Sequence, residues 1–159
     1  MKRSPEEEKL HQKLKPSKFS AQGFIGSDQR PIDEIIAADL RVLNNKGVSI
    51  EALVEALTRT YQKAQRALGA EVTIRSGVVA VFHESMGRVP SPFKGDGVFA
   101  KGEAVVTELA SGQHIIVTQL GIALIERHHF FQGIGSRYRI DPETALHILG
   151  LEGSPAPAF

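Results

Sequence analysis

The residues best suited to chemistry lie in one short stretch, residues 127–139. Arg137 and Arg139 are two positions apart in a predicted strand, so we expect them to project from the same face, where they can bind a phosphate or carboxylate with forked hydrogen bonds. Glycines in the same stretch would let backbone amides approach such an anion closely. The predicted ligand-binding residues are Arg127, Gly133, Gly135, Ser136, Arg137 and Arg139. The stretch therefore predicts a site for a small anionic molecule.

His128 is the candidate catalytic residue of this stretch, because an imidazole titrates near neutrality and can move a proton. The basic residues of this stretch also have a purely structural interpretation. Basic residues in the last turn of a helix bind its free carbonyl groups. Arg137 and Arg139 could equally form a solvated strand face paired with acids. The sequence leaves open whether the protein is an enzyme.

Metal, thiol and nucleotide chemistry find little support in the sequence. The chain has no cysteine, which excludes disulfides, thiolate ligands and a cysteine nucleophile. The histidines are dispersed, and the adjacent His128 and His129 would diverge by roughly 100° on a helix. Gly133-Ile134-Gly135 is too short for a dinucleotide-binding motif and precedes a strand, where that motif needs a helix. We expect no metal site and no cofactor.

A second candidate signal is Gly47-Val48-Ser49, which lies between two predicted helices. This spacing is seen in the turn of helix-turn-helix units that read DNA. The second helix, however, begins with Glu51 and Glu55, whose carboxylates would repel phosphates. The sequence therefore argues against specific nucleic-acid binding. The alternative function is a non-enzymatic interaction or dimerisation module that uses the 31–68 helical hairpin, with a homodimer as its simplest product.

Periodicity indicates which elements must position these residues. Apolar residues at helical spacing predict helices over about 31–43, 50–68, 119–129 and 142–149. The third is apolar around almost its whole circumference, so we expect it to be buried and packed on the sheet. Ser27 or Asp28 is expected to cap the first helix, and Ser49 the second.

Strands are predicted in the middle of the chain and once after the third helix. Residues 78–82 form a continuous apolar run, which is typical of a central strand. We expect an irregular loop over residues 85–97, because they include two prolines and three glycines. The predicted strands are 71–75, 78–82, 103–109, 113–117 and 137–140. This order predicts an α+β fold: a mostly antiparallel sheet of four to five strands with an N-terminal helical hairpin, one buried helix and a short C-terminal helix.

Charge and composition divide the chain into one domain with two tails. Residues 1–18 hold six Lys or Arg and three Glu, a net charge of +3, which leaves −2 for the rest of a chain with a total of +1. We expect residues 1–18 to be a disordered charged tail, residues 19–150 a single domain, and residues 151–159 a loose tail. No apolar run approaches the roughly 18 residues of a membrane span. We therefore expect a cytoplasmic protein without membrane contact.

Two stretches of the chain resemble a bacterial cytosolic protein family without an assigned activity. They are Gly23-Phe24-Ile25-Gly26-Ser27-Asp28, leading into Asp33-Glu34-Ile35-Ile36, and residues 128–142. The resemblance covers about residues 23–149. Relatives in that family carry a cysteine between two prolines where this chain has Ser91. The resemblance therefore implies that any thiol or metal chemistry of those relatives is absent here.

Overall fold

A computed structural model describes residues 23–152, together with Pro5. Residues 23–152 form four helices, a four-stranded antiparallel sheet and a separate two-stranded sheet. The helices are α1 (Ile32–Lys46), α2 (Ile50–Arg66), α3 (Gln119–His128) and α4 (Pro142–Ile148). The strands are β1 (Val72–Arg75), β2 (Val78–His83), β3 (Arg88–Pro90), β4 (Val98–Ala100), β5 (Glu103–Glu108) and β6 (His114–Val117). The predicted α+β fold is confirmed.

The helical hairpin of α1 and α2 forms where the sequence predicts it. The amide of Gly47 bonds back to the Asn44 and Leu43 carbonyls, which ends α1. The Ser49 hydroxyl accepts from the amide of Ala52, which begins α2 as predicted. The expected cap of α1 is wrong, because Pro31 holds the N-cap position and no side chain caps the helix. The Asp28 carboxylate instead binds Arg30 and the backbone amide of Ile134.

The main sheet has the strand order β1-β2-β5-β6, and all its neighbours are antiparallel. The run 78–82 is a central strand, as predicted, although only alternate residues of it are fully buried. Strand alternation turns one apolar set onto a common buried face. That set is Val78, Ala80, Phe82, Ala104, Val106, Ile115 and Val117. Helix α2 lies across this face, and its Leu53, Leu57 and Ala64 complete the core.

Helix α3 is buried as predicted, but its principal neighbours are not those expected. It packs chiefly against α2 and β4, whereas α2 and α4 cover the main sheet. Leu124 is fully buried and Ile125 is 1% exposed. A second, smaller core lies beside α3 and joins it to α1 and the segment before α1. Its buried residues are Ile25, Ile35, Leu120, Leu124 and Phe130.

Three further expectations need correction. Residues 85–97 are not wholly irregular, because β3 lies within them and pairs with β4 just beyond. The predicted strand 137–140 does not form: the chain turns there, with the amide of Arg139 bonded to the Ser136 carbonyl. The predicted C-terminal tail begins too early, because Leu151 packs on the core and Glu152 bonds to His147. The rest of that tail, and residues 1–18 apart from Pro5, lie outside the described residues.

Candidate functional site

The glycine turn of the predicted anion site is a docking surface for the segment before α1. The amide of Gly133 donates to the Phe24 carbonyl at 2.8 Å. A Cβ on Gly133 would lie 2.3 Å from the Ile25 carbonyl oxygen, so no other residue fits this close approach. Ser136 is buried, and its hydroxyl lies 2.9 Å from the Gly23 carbonyl oxygen. These groups bind protein backbone in this structure.

Gly135 and the residue before it contact the same segment. A Cβ on Gly135, which has a φ of +92°, would lie 2.7 Å from the Ser27 hydroxyl oxygen. The amide of Ile134 donates to the Asp28 carboxylate at 3.1 Å. Asp28 also binds Arg30 at 2.6 Å, and this guanidinium holds the pKa of Asp28 at about 2, below its usual 3.8. A carboxylate of the protein itself therefore bonds to the turn where a ligand anion was expected.

Arg139 is directed into the protein. Its two terminal nitrogens each lie 2.9 Å from an oxygen of Asp39 on α1, a bidentate pair. One of them also donates to the Gln132 carbonyl at 2.7 Å. Asp39 is buried and the Arg139 side chain is only 12% exposed. Burial lowers the pKa of Arg139, and the hydrogen bond and charge of Asp39 outweigh that effect and raise it.

Arg137 lies apart from this pair. Its side chain is 61% exposed and reaches Glu103 on β5 at 3.3 Å. The Tyr138 hydroxyl also donates to Glu103, and the Arg137 guanidinium lies 5.1 Å from the centre of the Tyr138 ring. Because residues 137–140 turn, the two arginines do not share a strand face. They have separate carboxylate partners on β5 and α1.

His128 and Arg127, at the end of α3, hold the loop between β3 and β4. His128 Nε2 lies 2.7 Å from Asp96 Oδ2, and its ring stacks on Phe93 with 3.7 Å between the ring centres. Arg127 donates to the Asp96 carbonyl at 3.1 Å. Burial raises the pKa of Asp96, but hydrogen bonds from His128 and Ser91 outweigh it and lower that pKa. The candidate catalytic histidine thus anchors a loop.

The contacts in this loop do not activate a nucleophile. The Ser91 hydroxyl donates to Asp96 Oδ2 at 2.9 Å, so the carboxylate lies between the serine and His128. A serine nucleophile needs a histidine next to its hydroxyl, with the carboxylate behind the histidine. Here that order is Ser–Asp–His. The cluster is suited to positioning the loop and does not supply a base to Ser91.

Two clefts flank α2, and neither is predicted from the sequence. The first, which we call the basic cleft, lies between α2, β1 and the end of α4, with a volume of about 330 Å³. It is lined by Ala56, Arg59, Thr60, Lys63, Ile74, Arg75 and Leu149. Three of these side chains are cationic and none is acidic. The basic cleft can therefore attract an anion.

The second cleft, which we call the glutamine cleft, lies between α2, α3 and β4 and also measures about 330 Å³. It is lined by Thr58, Tyr61, Gln62, Gln65, Phe99, Gln119, Ile122, Ala123, Glu126 and Arg127. Arg127 is the one predicted ligand-binding residue that lines either cleft. Its guanidinium lies 5.4 Å from the centre of the Phe99 ring. The wall combines amides, hydroxyls and apolar surface.

The residues of α2 that line the two clefts follow a helical pattern. Positions 56, 59, 60 and 63 follow the spacing i, i+3, i+4, i+7, and so do positions 58, 61, 62 and 65. Each set therefore forms one stripe along α2, and the two stripes lie on opposite sides of the buried stripe that faces the sheet. Only the apolar stripe of α2 has a periodicity that predicts its environment. The polar stripes carry no signal of concavity, because the opposite walls come from β1 and the end of α4 in one cleft and from α3 and β4 in the other.

Residues 23–152 contain no group of three or more His, Cys, Asp or Glu side chains placed to hold a metal ion. In the same residues, no helix is both long and apolar enough to cross a membrane.

Comparisons with protein-family models, with curated proteins and with solved structures found no match to the chain. The family resemblance noted from the sequence therefore stays a prediction.

Proposed function

We propose that this protein binds a small anionic molecule, bearing phosphate or carboxylate, in the basic cleft. The observation that carries the proposal is the convergence of Arg59, Lys63 and Arg75 on one concave surface without an acidic residue in its lining. Arg59 and Lys63 are one helical turn apart on α2, and Arg75 faces them from β1. Cations held on two elements can contact one anion from two sides.

Existing contacts leave most of this positive charge available. Lys63 has no ion-pair partner within residues 23–152, and Arg59 reaches only the exposed Glu55, at 3.9 Å. Arg75 is anchored, since its Nη1 lies 3.4 Å from the carbonyl oxygens of His147 and Ile148 at the end of α4. Those carbonyls position the guanidinium without neutralising it. Apolar surface from Ile74 and Leu149 would contact the uncharged part of a ligand.

The two functions predicted from the sequence have less support. At the 127–139 turn, Arg139 and the amides of Gly133 and Ile134 already bond to protein groups. The hairpin alternative would require an exposed apolar stripe on residues 31–68. Of the exposed large hydrophobic side chains within the described part of the chain, Leu68 alone belongs to the hairpin. Both remain predictions, and the basic cleft is the better candidate.

The proposal can be tested by calorimetric titration of the full chain with pyrophosphate and, separately, with citrate. We expect saturable binding of at least one of them, which identifies the preferred anionic group. Lys63→Gln removes one cation near the anion, a loss of about 1 kcal/mol at water-like screening, so affinity should fall about fivefold. Added salt should weaken binding further.

Lys101→Gln is the matched control, since it removes the same charge from an exposed lysine outside the cleft. It should leave affinity nearly unchanged at fixed ionic strength. An equal loss with Lys101→Gln would show that binding depends only on net charge. That result, or an absence of saturable binding by either anion, would contradict the proposed function.

A further inference from the structure

We infer that the charge state of His147 controls how tightly the basic cleft binds its anion, an inference that rests on the proposed function. His147 lies in the last turn of α4, and the residues that follow it form one wall of the basic cleft through Leu149. When His147 is protonated, two carboxylates hold this wall in place. When the proton leaves, the wall loses one of these contacts and the region beside the cleft loses a positive charge. Both changes weaken anion binding.

Both ring nitrogens of His147 face a carboxylate. Nε2 lies 2.8 Å from Oε2 of Glu108 on β5, and Nδ1 lies 2.5 Å from Oε1 of Glu152, just after α4. An imidazole donates from both nitrogens only when it is doubly protonated, because the neutral ring has one donor and one acceptor. The neutral ring would therefore present a lone pair to one carboxylate and lose that hydrogen bond.

The sheet places this cluster next to a cation of the basic cleft. In the strand register, Val78 on β2 lies between Arg75 on β1 and Glu108 on β5, so the three residues form one row across the sheet. Arg75 Nη1 lies 3.4 Å from the carbonyl oxygen of His147, and a Cβ on Gly150 would lie 2.8 Å from Arg75 Nε. The end of α4 thus contacts Arg75 with its backbone and Glu108 with the His147 ring.

The two carboxylates set the direction of the pH effect. The hydrogen bond to Glu152 and the charge of Glu108 raise the pKa of His147 above its usual 6.5. The same hydrogen bond lowers the pKa of Glu152, so this carboxylate is ionised while His147 titrates. The proton is retained below the raised pKa of His147 and is lost as the pH rises through it. Anion affinity should therefore be highest on the acid side of this pKa and fall on the alkaline side.

Other charged or titratable groups surround His147 without contacting its ring. Within residues 23–152, only Glu108 and Glu152 lie within ion-pair distance of the ring. The other groups, on α4 and on the elements packed against it, are Glu143 on α4, Lys46 on α1, which pairs with Glu152 at 3.7 Å, Arg75 on β1 and His114 on β6. His114 is paired with Thr107, whose side chain lies on the opposite face of the sheet from that of Glu108.

The test compares two variants that fix the charge of residue 147. His147→Arg is positive at every pH and can still donate to both carboxylates, and the 46% exposed side chain leaves room for it. His147→Asn is uncharged at every pH. Full-length proteins are titrated by calorimetry with pyrophosphate and, separately, with citrate from about pH 6 to about pH 9 at low salt. The protonation of the anion itself is the same for each protein, so the ratio of Kd values isolates the effect of residue 147.

His147→Arg should bind like the unmodified chain near pH 6 and about fourfold more tightly near pH 9. This is the effect of one charge about 10 Å, or two strand spacings, from a dianion at water-like screening. His147→Asn should bind about fourfold more weakly near pH 6 and match the unmodified chain near pH 9. His83→Asn is the matched control, since it removes an exposed histidine at the opposite end of β2 from Val78. Its pH profile should follow that of the unmodified chain.

A second measurement follows the wall of the cleft without any ligand. In NMR spectra of the ¹⁵N-labelled full chain, the backbone amide of Leu149 and the Nε–H of Arg75 should shift with the same midpoint as the His147 ring. Signals that do not shift with this midpoint would overturn the inference.

The binding results separate this inference from the proposed function. Saturable binding with one pH profile shared by the unmodified chain, His147→Arg and His147→Asn would overturn the inference alone. The absence of saturable binding by either anion near pH 6 would contradict the proposed function, and the inference with it.

Discussion

At the scale of single residues, burial separates the polar groups that hold the fold from those that can meet a ligand. Arg139 and Asp39 are both largely buried and form a bidentate pair, whereas Arg137 is mostly solvated. The two arginines are chemically identical and two positions apart in the sequence. Their different surroundings give them different roles.

Arg139→Ala should therefore destabilise the protein. It leaves the buried Asp39 carboxylate without its counter-charge, and breaking a buried pair in this way costs about 3–5 kcal/mol. Urea denaturation followed by circular dichroism would measure the loss. Arg137→Ala is the matched control and should cost less than about 1 kcal/mol, since its pair with Glu103 is exposed on the arginine side. Equal and small effects of the two substitutions would contradict the structural role of Arg139.

At the scale of elements, α2 contributes both to the main core and to the two clefts. Its apolar stripe closes the main core, and two polar stripes beside it form one wall of each cleft. Helix α3 has the complementary role. It is apolar on most sides because it packs between α2, β4 and the smaller core. The clefts therefore depend on helix packing as much as on their own side chains.

Leu124→Ala tests the burial of α3. Leu124 is fully buried and belongs to the smaller core, so truncation should leave a cavity and cost about 2–5 kcal/mol. Chemical denaturation would measure this loss. Leu109→Ala, at a residue that is 62% exposed, is the control and should change the free energy of unfolding by less than about 0.5 kcal/mol. A loss below about 1 kcal/mol for Leu124→Ala would show that α3 lies at the surface.

At the scale of the whole molecule, the segment before α1 and the turn after α3 hold each other in place. They lie more than 100 positions apart in the sequence and are joined by backbone hydrogen bonds and by the Asp28 carboxylate. At the other end of the described chain, His147 lies 2.8 Å from Glu108 and 2.5 Å from Glu152. Both ends of the described chain are thus attached to the folded body by charged groups.

Asp28 should make global stability depend on acid pH. Its folded pKa of about 2 lies below the ordinary 3.8, so the unfolded chain binds the proton more readily. The contribution is present above pH 3.8 and is lost as the pH falls toward 2, a change of roughly 2 kcal/mol. Urea midpoints measured across this range should fall less steeply with acid in Asp28→Asn. An unchanged acid slope in that variant would contradict the assignment.

The sequence by itself determined the local features of this protein. Hydrophobic periodicity and the Ser49 cap located the helices, and strand-type patterns, among them the continuous apolar run 78–82, located every strand of the main sheet. These signals are readable because each depends on neighbours within a few positions. The strand predicted at 137–140 is wrong because its alternation coincides with a turn that residues 23–28 hold in place.

Only the tertiary structure decided what the polar side chains contact. The partner of Arg139 is Asp39, 100 positions away, and the partner of Ile134 is Asp28, 106 positions away. No local pattern encodes such pairs, because their hydrogen bonds form only when separate elements pack together. For the same reason Lys63 reads as an ordinary position on a helix. It became a candidate ligand contact when β1 and the end of α4 placed a wall opposite it.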